Sequence, residues 1–515
     1  MDATAIPHTE LPGSTKLFLD YLYSFERMAP FFSHAPGNLE SLREAARRSH
    51  YPESRRAALV EALREDNPAS AALELLEQPE TVVVVTGQQV GLFGGPAYSV
   101  YKALTAVKLA RRLTDAGIPA VPVFWCATED HDFEEVRHVW VFNGACHPVR
   151  LSVEANAGGA PAGSVAPGEF PLAALREALA EFPYGGEVAG EIAAHYRPGR
   201  SMGEAFRGWM AALLQPFDML FLDPLRPAVR KLAAPLLARA ASVSSELTGA
   251  VAERSRKLQA AGYHAQVQVA PGAPLFFALR NGKRTPLGEV PNGYQPLIDA
   301  PESISPNALL RPLMQDFILP VAAHVAGPAE IAYLAQSQVL YQRLGVEPPV
   351  EWPRAGFTLL DARSAKVIER YELALSTILA GEQAVAEAIA RRRIPAEIAS
   401  ALNAAQTRVA EALTALRNPM AAFNPTLAAA LDKSAAKILY QLSKLERKTG
   451  REVLRRQESA SADAARLSRL VAPHRHLQER FYSLIPFVAW YGSGLIRRLY
   501  DSVNLDSPDH ILLPL

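Results

Sequence analysis

Only two cysteines, Cys126 and Cys146, occur in the 515 residues. Two thiols can build neither a disulfide framework nor a four-cysteine zinc site. An excess of charge is missing too: 53 Lys and Arg balance 53 Asp and Glu, so no net field recruits nucleic acid or an anionic membrane. No apolar run approaches the ~18 residues that a membrane-spanning helix needs. The opening residues, MDATAIPHTELPG, lack the basic and apolar regions of a secretory signal. These absences lead to the expectation of a cytoplasmic protein without nucleic-acid or membrane partners. Apolar residues at 49% and charged residues at 21% supply an ordinary globular core, and the length suggests about three structural units.

Along the chain, residues 1–76 read as a mostly helical segment. The pattern then changes. The run Thr81–Thr86 is continuously β-branched, as a strand buried on both faces of a parallel sheet should be. A glycine-rich turn, a helix over Tyr98–Leu113 and a second buried strand, Ala120–Cys126, complete a βαβ unit. Residues 138–153 suggest two short strands, and 155–168 a flexible loop rich in Ala, Gly and Pro. Met219–Asp223 reads as a further strand. Ala265–Val269 and Leu275–Leu279, around a Pro-Gly turn, read as a hairpin. Phe317–Val325 reads as a buried strand and Glu330–Leu344 as a helix. The core is therefore expected over 77–360, with insertions around 150–215 and 262–300. From 361 to 470 the composition becomes helical, with breaks at Pro395, Asn418-Pro419 and Asn424-Pro425. Leu431, Ala435, Ile438, Leu442 and Leu445 follow a 4-3 spacing, as do Ile398, Leu402, Ala405, Val409 and Leu416. That spacing fits a coiled-coil seam between two chains, or an antiparallel hairpin burying the seam within one. Residues 471–515 regain Pro, Trp and Tyr and are expected to return to the core.

Three junctions at strand ends carry candidate chemistry. The first runs Thr86, Gly87, Gln88, Gln89, Val90, Gly91, and on through Gly94 and Gly95 to Tyr98. Ligands bind at the carboxyl ends of parallel strands, and free N–H groups at a helix start attract anions. The loop is neither a dinucleotide fingerprint nor a Walker A motif. Lys102, further along the helix, either reaches an anion at that mouth or is a solvated lysine. The second junction is Glu129, Asp130, His131 and Asp132. Its readings are hydrogen bonds to a sugar, a divalent cation site, general acid–base work by His131, or a solvated helix-capping loop; no metal site is assigned. The third is His324, Gly327 and Glu330. Cys126, at the end of a buried strand, reads as an inert small hydrophobe rather than a nucleophile.

Taken together, VVTGQQVGLFGGPAYSVYKALTAVKLA (83–109), PVFWCATEDHDFEEV (122–136) and HVAGPAEIAYLAQ (324–336) closely resemble the cysteine ligase family of bacillithiol biosynthesis. The resemblance continues through RAGFTLLD (354–361) and LQERFYSLIPFVAWYG (477–492), and so covers nearly the whole chain. It implies an α/β fold: a Rossmann-type open parallel sheet with connecting-peptide insertions, plus an α-helical coiled-coil domain that mediates dimerisation. It also implies amide-bond formation between the cysteine carboxyl and the amine of glucosaminyl-malate. The carboxyl needs activation, which makes ATP (with ADP as its product form) the expected nucleotide and Mg an accompanying option. Under this resemblance Glu129, Asp130, His131 and Asp132 are the catalytic residues, serving the sugar and supplying the base for the ammonium. The glycine loop with Lys102, and the His324 junction, serve nucleotide and substrate. The His-x-Gly-His and Lys-Met-Ser-Lys-Ser signatures of adenylate-forming synthetases are absent. Two readings from other classes remain beside this one: a nucleotide- or sugar-binding regulator without catalysis, and a helical scaffold.

Overall fold

Val82 to Val85 are all buried, which requires protein on both faces of the strand they form. A computed structural model of the chain describes residues 3–48, 51–68, 70–270, 272–288, 294–456 and 458–515. In it Val82–Gln89 is the central strand of a five-stranded sheet. Its neighbours are Ala120–Ala127, then Leu220–Leu222, on one side, and Val321–Ala326, then Val350–Pro353, on the other. Every pairing is parallel. Numbered by their occurrence along the chain, the five strands lie in the spatial order 3-2-1-4-5. That is the order of one Rossmann half with its mate, and its switch point falls between Val82–Gln89 and Val321–Ala326. Helix Tyr98–Asp115 makes the first crossover, and helix Pro328–Leu344 follows the fourth strand.

Several local expectations need correction. The central strand runs three residues further than the β-branched run, so Gln88 and Gln89 are strand residues rather than loop residues. The strand expected over Phe317–Val325 is Val321–Ala326, because Phe317 and Ile318 finish helix Arg311–Ile318. The expected hairpin is displaced. Phe276–Arg280 pairs with Lys283–Thr285 and with Ile304–Pro306, whereas Ala265–Val269 forms no strand. The physical reason is that the Gln336 side-chain amide satisfies the backbone of Val267, at 2.9 Å to both its N–H and its carbonyl. Pro271 of the expected turn lies outside the described residues. The 155–168 segment is docked rather than loose: Ala162 and Gly163 donate to the carbonyls of Asp130 and Thr128 at 2.6 and 2.9 Å. A Cβ on Gly163 would sit 2.4 Å from the Thr128 Cβ, so glycine is what permits the approach.

Both chain ends meet in a second sheet that sequence patterning missed. Thr4–Ile6 pairs antiparallel with His510–Pro514, which pairs in parallel with Phe357–Leu360. Beyond it, helices Ala396–Phe423 and Pro425–Arg456 pack against each other as a hairpin. Pro395 and Pro425 sit at their starts, as expected, but Pro419 lies inside the first helix without ending it. No helix among the described residues is long and apolar enough to cross a membrane.

Asn67 pins the short edge strand. Its side chain donates to the carbonyls of Leu63 and Phe221, both at 2.8 Å, and accepts from the Phe221 N–H at 2.7 Å. Asn67→Ala leaves these buried groups unpaired and is expected to destabilise the protein by about 2–3 kcal/mol. Urea unfolding monitored by circular dichroism checks this; an unchanged midpoint refutes it.

Candidate active site

A cleft of about 300 Å³ opens at the switch point, over the ends of Val82–Gln89 and Val321–Ala326. Gly87, Gln88 and Gln89 form one wall, and His324, Gly327 and Glu330 another. Tyr98 and Asp130 also face it. The three junctions, with His324 lying 235 residues after Gln89 in sequence, therefore contribute to one cavity. Their individual residues play different parts in it.

Gly87 is needed for strand packing: a Cβ there would lie 2.7 Å from the Trp125 carbonyl oxygen. Thr86 is buried and donates to the Val325 carbonyl at 2.9 Å, tying the two switch-point strands together. Gln88 donates to the Tyr98 hydroxyl at 3.2 Å. Gln89 donates to Asp130 Oδ2 at 3.0 Å and to Glu135 Oε2 at 2.8 Å. Asp130 Oδ1 also accepts from the backbone of His131 and Asp132. Burial raises the Asp130 pKa, but Gln89, Arg284 and these backbone donors outweigh it and hold the carboxyl below its usual range. Asp130 is thus an ionised group facing the cleft.

The distal half of the glycine loop does something other than cradle an anion. Gly91, Gly94 and Gly95 are buried, and Gly94 and Gly95 have positive φ (+90° and +67°). A Cβ on Gly94 would sit 3.2 Å from the Trp209 ring. The N–H groups expected to be free are engaged: Gly94 with the Gly91 carbonyl and the Tyr196 hydroxyl, Gly95 with Leu92, and Ala97 with the Tyr482 carbonyl. The C-terminal segment thus covers the helix start. The glycines here serve close packing.

Lys102 matches neither of its expected descriptions. It is fully buried, donates to the Gly87 carbonyl, and pairs with Glu330 at 2.7 Å. Burial lowers the Lys102 pKa, with Glu330 opposing that shift. For Glu330 burial acts to raise the pKa, yet Lys102, His324 and the Gly327 N–H at 2.7 Å reverse the shift and lower it. An ionised carboxylate at the edge of the cleft is held by a buried ammonium.

Within the acidic cluster only Asp130 lines the cleft. Glu129 is buried away on Arg230 and Ser305, both at 3.1 Å, and burial raises its pKa. His131 is exposed, stands against Phe277, and its Nδ1 accepts from Arg284 at 2.8 Å. Asp132 caps the short helix Phe133–Val136. Cys126 is buried, and burial pushes its thiol well above the usual range, which leaves it unreactive. No group of three or more metal-ligating side chains occurs among the described residues.

Sequence reasoning missed the cations. Arg311, Arg354 and Arg480 line the cleft. Arg354 is held by Glu479 in a two-pronged pair, with contacts of 3.0 and 2.5 Å. Arg311 donates to the Tyr333 hydroxyl at 3.0 Å. The motifs RAGFTLLD and LQERFY contain Arg354 and Arg480, but nothing local says that they point into a cavity built by other segments.

Family comparison agrees with this architecture. A profile for the N-terminal Rossmann-like domain of the bacillithiol biosynthesis protein BshC matches residues 1–355. The profile for its C-terminal coiled-coil domain matches 357–515. The chain belongs to the BshC family. A relative from Solibacter usitatus, named "Putative cysteine ligase BshC", is 47% identical over 99% of both chains. One of the same name from Koribacter versatilis is 34% identical over 98% of both. The resemblance read from the three junctions, and the Rossmann-like plus coiled-coil fold class, are borne out by these matches and by the parallel sheet.

The buried pair yields a prediction. Lys102→Met strands the Glu330 carboxylate and is expected to cost about 3–5 kcal/mol. Because the folded pKa of Glu330 is depressed, its contribution is complete above the unfolded value near 4.5 and is lost as pH falls through the lowered folded value. Glu330→Gln should therefore flatten this part of the acid dependence. Urea midpoints from pH 3 to 6 check it; parallel curves for the two proteins refute it.

Proposed function

We propose that this chain is a cysteine ligase that joins the carboxyl of cysteine to the amine of glucosaminyl-malate, with ATP activating the carboxyl. The observation that carries the reading is the mixed charge of one cleft at the switch point. Arg311, Arg354 and Arg480 face the same space as Asp130 and Glu135. An amine-bearing sugar with a dicarboxylate arm, beside a phosphate-bearing nucleotide, needs that combination. The arginines suit carboxylates and phosphates. Gln88, Gln89 and Asp130 suit sugar hydroxyls, and Asp130 suits the ammonium. With its pKa held low, Asp130 binds the ammonium rather than taking its proton. ATP supplies a phosphate or adenylate leaving group, and the arginines are the residues that would hold its phosphates. Magnesium would arrive on the phosphates. The reading places the protein in the cytoplasm, where its two free, buried cysteines stay reduced.

Purified protein given cysteine, glucosaminyl-malate and ATP is expected to form the conjugated thiol. Arg311→Ala should weaken an anionic substrate by about 1.5–3 kcal/mol, as a raised KM. Asp130→Asn should raise KM for the amino sugar. Thiol formation followed by mass spectrometry checks both. A protein that binds nucleotide or sugar but forms no product is the regulator instead.

The helical hairpin supports homodimerisation as part of the same proposal. Pairing within one chain half-buries Leu402, Ala405, Val409, Ala435 and Leu442. It leaves Ile438 42%, Leu445 51%, Leu416 52% and Phe423 85% exposed. Covering one such side chain contributes roughly 1.5–3 kcal/mol, and a self-complementary stripe closes after two copies. Light scattering should find a dimer that Ile438→Lys with Leu445→Lys converts to a folded monomer. A monomeric wild type, or a dimer indifferent to the double substitution, refutes this interface.

A further inference from the structure

His324 and Glu351 are paired positions on the neighbouring parallel strands Val321–Ala326 and Val350–Pro353. His324 Nδ1 and Glu351 Oε2 lie 3.4 Å apart, and both side chains are almost fully buried. Neither atom has a hydrogen-bond partner among the described residues, and the two form none with each other in this structure. The other carboxyl oxygen accepts from Gln338 at 3.5 Å, and Gln338 accepts from the Ser33 hydroxyl at 3.1 Å. The Glu351 carbonyl is fixed by the Tyr21 hydroxyl at 2.5 Å. His324 is also among the residues lining the cleft.

Two unpartnered buried polar atoms 3.4 Å apart can satisfy each other only by drawing one proton between them. They can exist as imidazole and carboxylic acid or as imidazolium and carboxylate, with the same net charge. The surroundings choose the neutral form. Burial, with Lys102 and Arg311 against Glu330, lowers the His324 pKa to about 4. Burial, with Asp316 and Glu330, raises the Glu351 pKa well above the carboxylate range. In the neutral form the acid donates to Nδ1, so the ring hydrogen must reside on Nε2.

We propose that Glu351 is a positioning residue, a carboxylic acid that fixes His324 in the tautomer whose Nε2–H is offered to the acyl oxygen of the reacting cysteine carboxyl. This rests on the amide-forming reading above. When the amine nitrogen attacks the activated carbon, the C–N bond forms and the carbonyl π pair moves onto oxygen. Nε2–H donates to that oxyanion. The pair returns to re-form C=O as the activating group leaves with the electrons of its C–O bond, and the surplus ammonium proton passes to water. A neutral donor aimed at charge that develops only during reaction favours the transition state over the bound substrate.

The test combines kinetics with nitrogen-15 NMR of the full-length chain labelled at histidine. His324→Ala should lower kcat by about 10²–10³-fold, and Glu351→Leu by roughly 10–100-fold, with KM for cysteine little changed. Glu351→Gln, whose amide also donates, should keep most of the activity. In wild type and Glu351→Gln the His324 ring should remain the neutral Nε2–H tautomer from pH 6 to 8. In Glu351→Leu it should become a mixture. A folded Glu351→Leu enzyme with wild-type kcat, or a wild-type ring that is protonated or carries its hydrogen on Nδ1, overturns the proposal. If Glu351→Leu does not fold, loss of the tautomer in Glu351→Gln overturns it instead. Wild-type protein that forms no amide at all sinks the ligase reading. The tautomer then still decides whether Glu351 positions His324.

Discussion

A lysine ammonium with no water around it survives only if something else solvates it. Lys102, in the second turn of the crossover helix, is solvated by the Gly87 carbonyl and by Glu330 in the first turn of helix Pro328–Leu344. That one ion pair joins the elements on either side of the topological switch point. Glu330 also receives the Gly327 N–H, so the turn leaving strand Val321–Ala326 is fixed by the same carboxylate. The pair thereby links Gly87 on one wall of the cleft to Glu330 on the other. Removing one partner leaves a buried charge, the costly case for such a pair.

Around this pair the charges are sorted by depth. Glu129 and Arg230 neutralise each other out of reach of the cleft, and Arg354 is oriented by Glu479 from the returning C-terminal segment. Arg311 and Asp130 remain on the lining of the cleft. The inserted hairpin adds Arg284, which stacks on Phe277 and draws His131 away from the cleft. An acidic tetrad that reads as one site thus separates into a cleft-facing carboxylate, a buried structural one, a helix cap and a surface histidine.

The sheet was legible because its signals are local. Four consecutive valines can be satisfied only between two covered faces, and the glycine-rich turn has to follow at a strand end. The failures are equally physical. Ala265–Val269 has strand composition, yet Gln336, about seventy residues later, takes its backbone hydrogen bonds. Pro419 tolerates a helix interior that its residue type argues against. Thr4–Ile6 becomes a strand only because the last residues of the chain come to pair with it.

By itself, then, the sequence determined four of the sheet's five strands (Val350–Pro353 went unread), the three polar junctions and the family to which those junctions belong, since each is written in contiguous residues. Tertiary structure alone decided which of those residues look into the cleft. Lys102 turned inward because Glu330 lies across the switch point. Gly94 and Gly95 were claimed by Trp209 and the C-terminal segment. Arg311, Arg354 and Arg480 came to line one cleft although they come from three distant segments. Burial and charge pairing are sums over neighbours that no local stretch of chain contains, which is why these assignments required the fold.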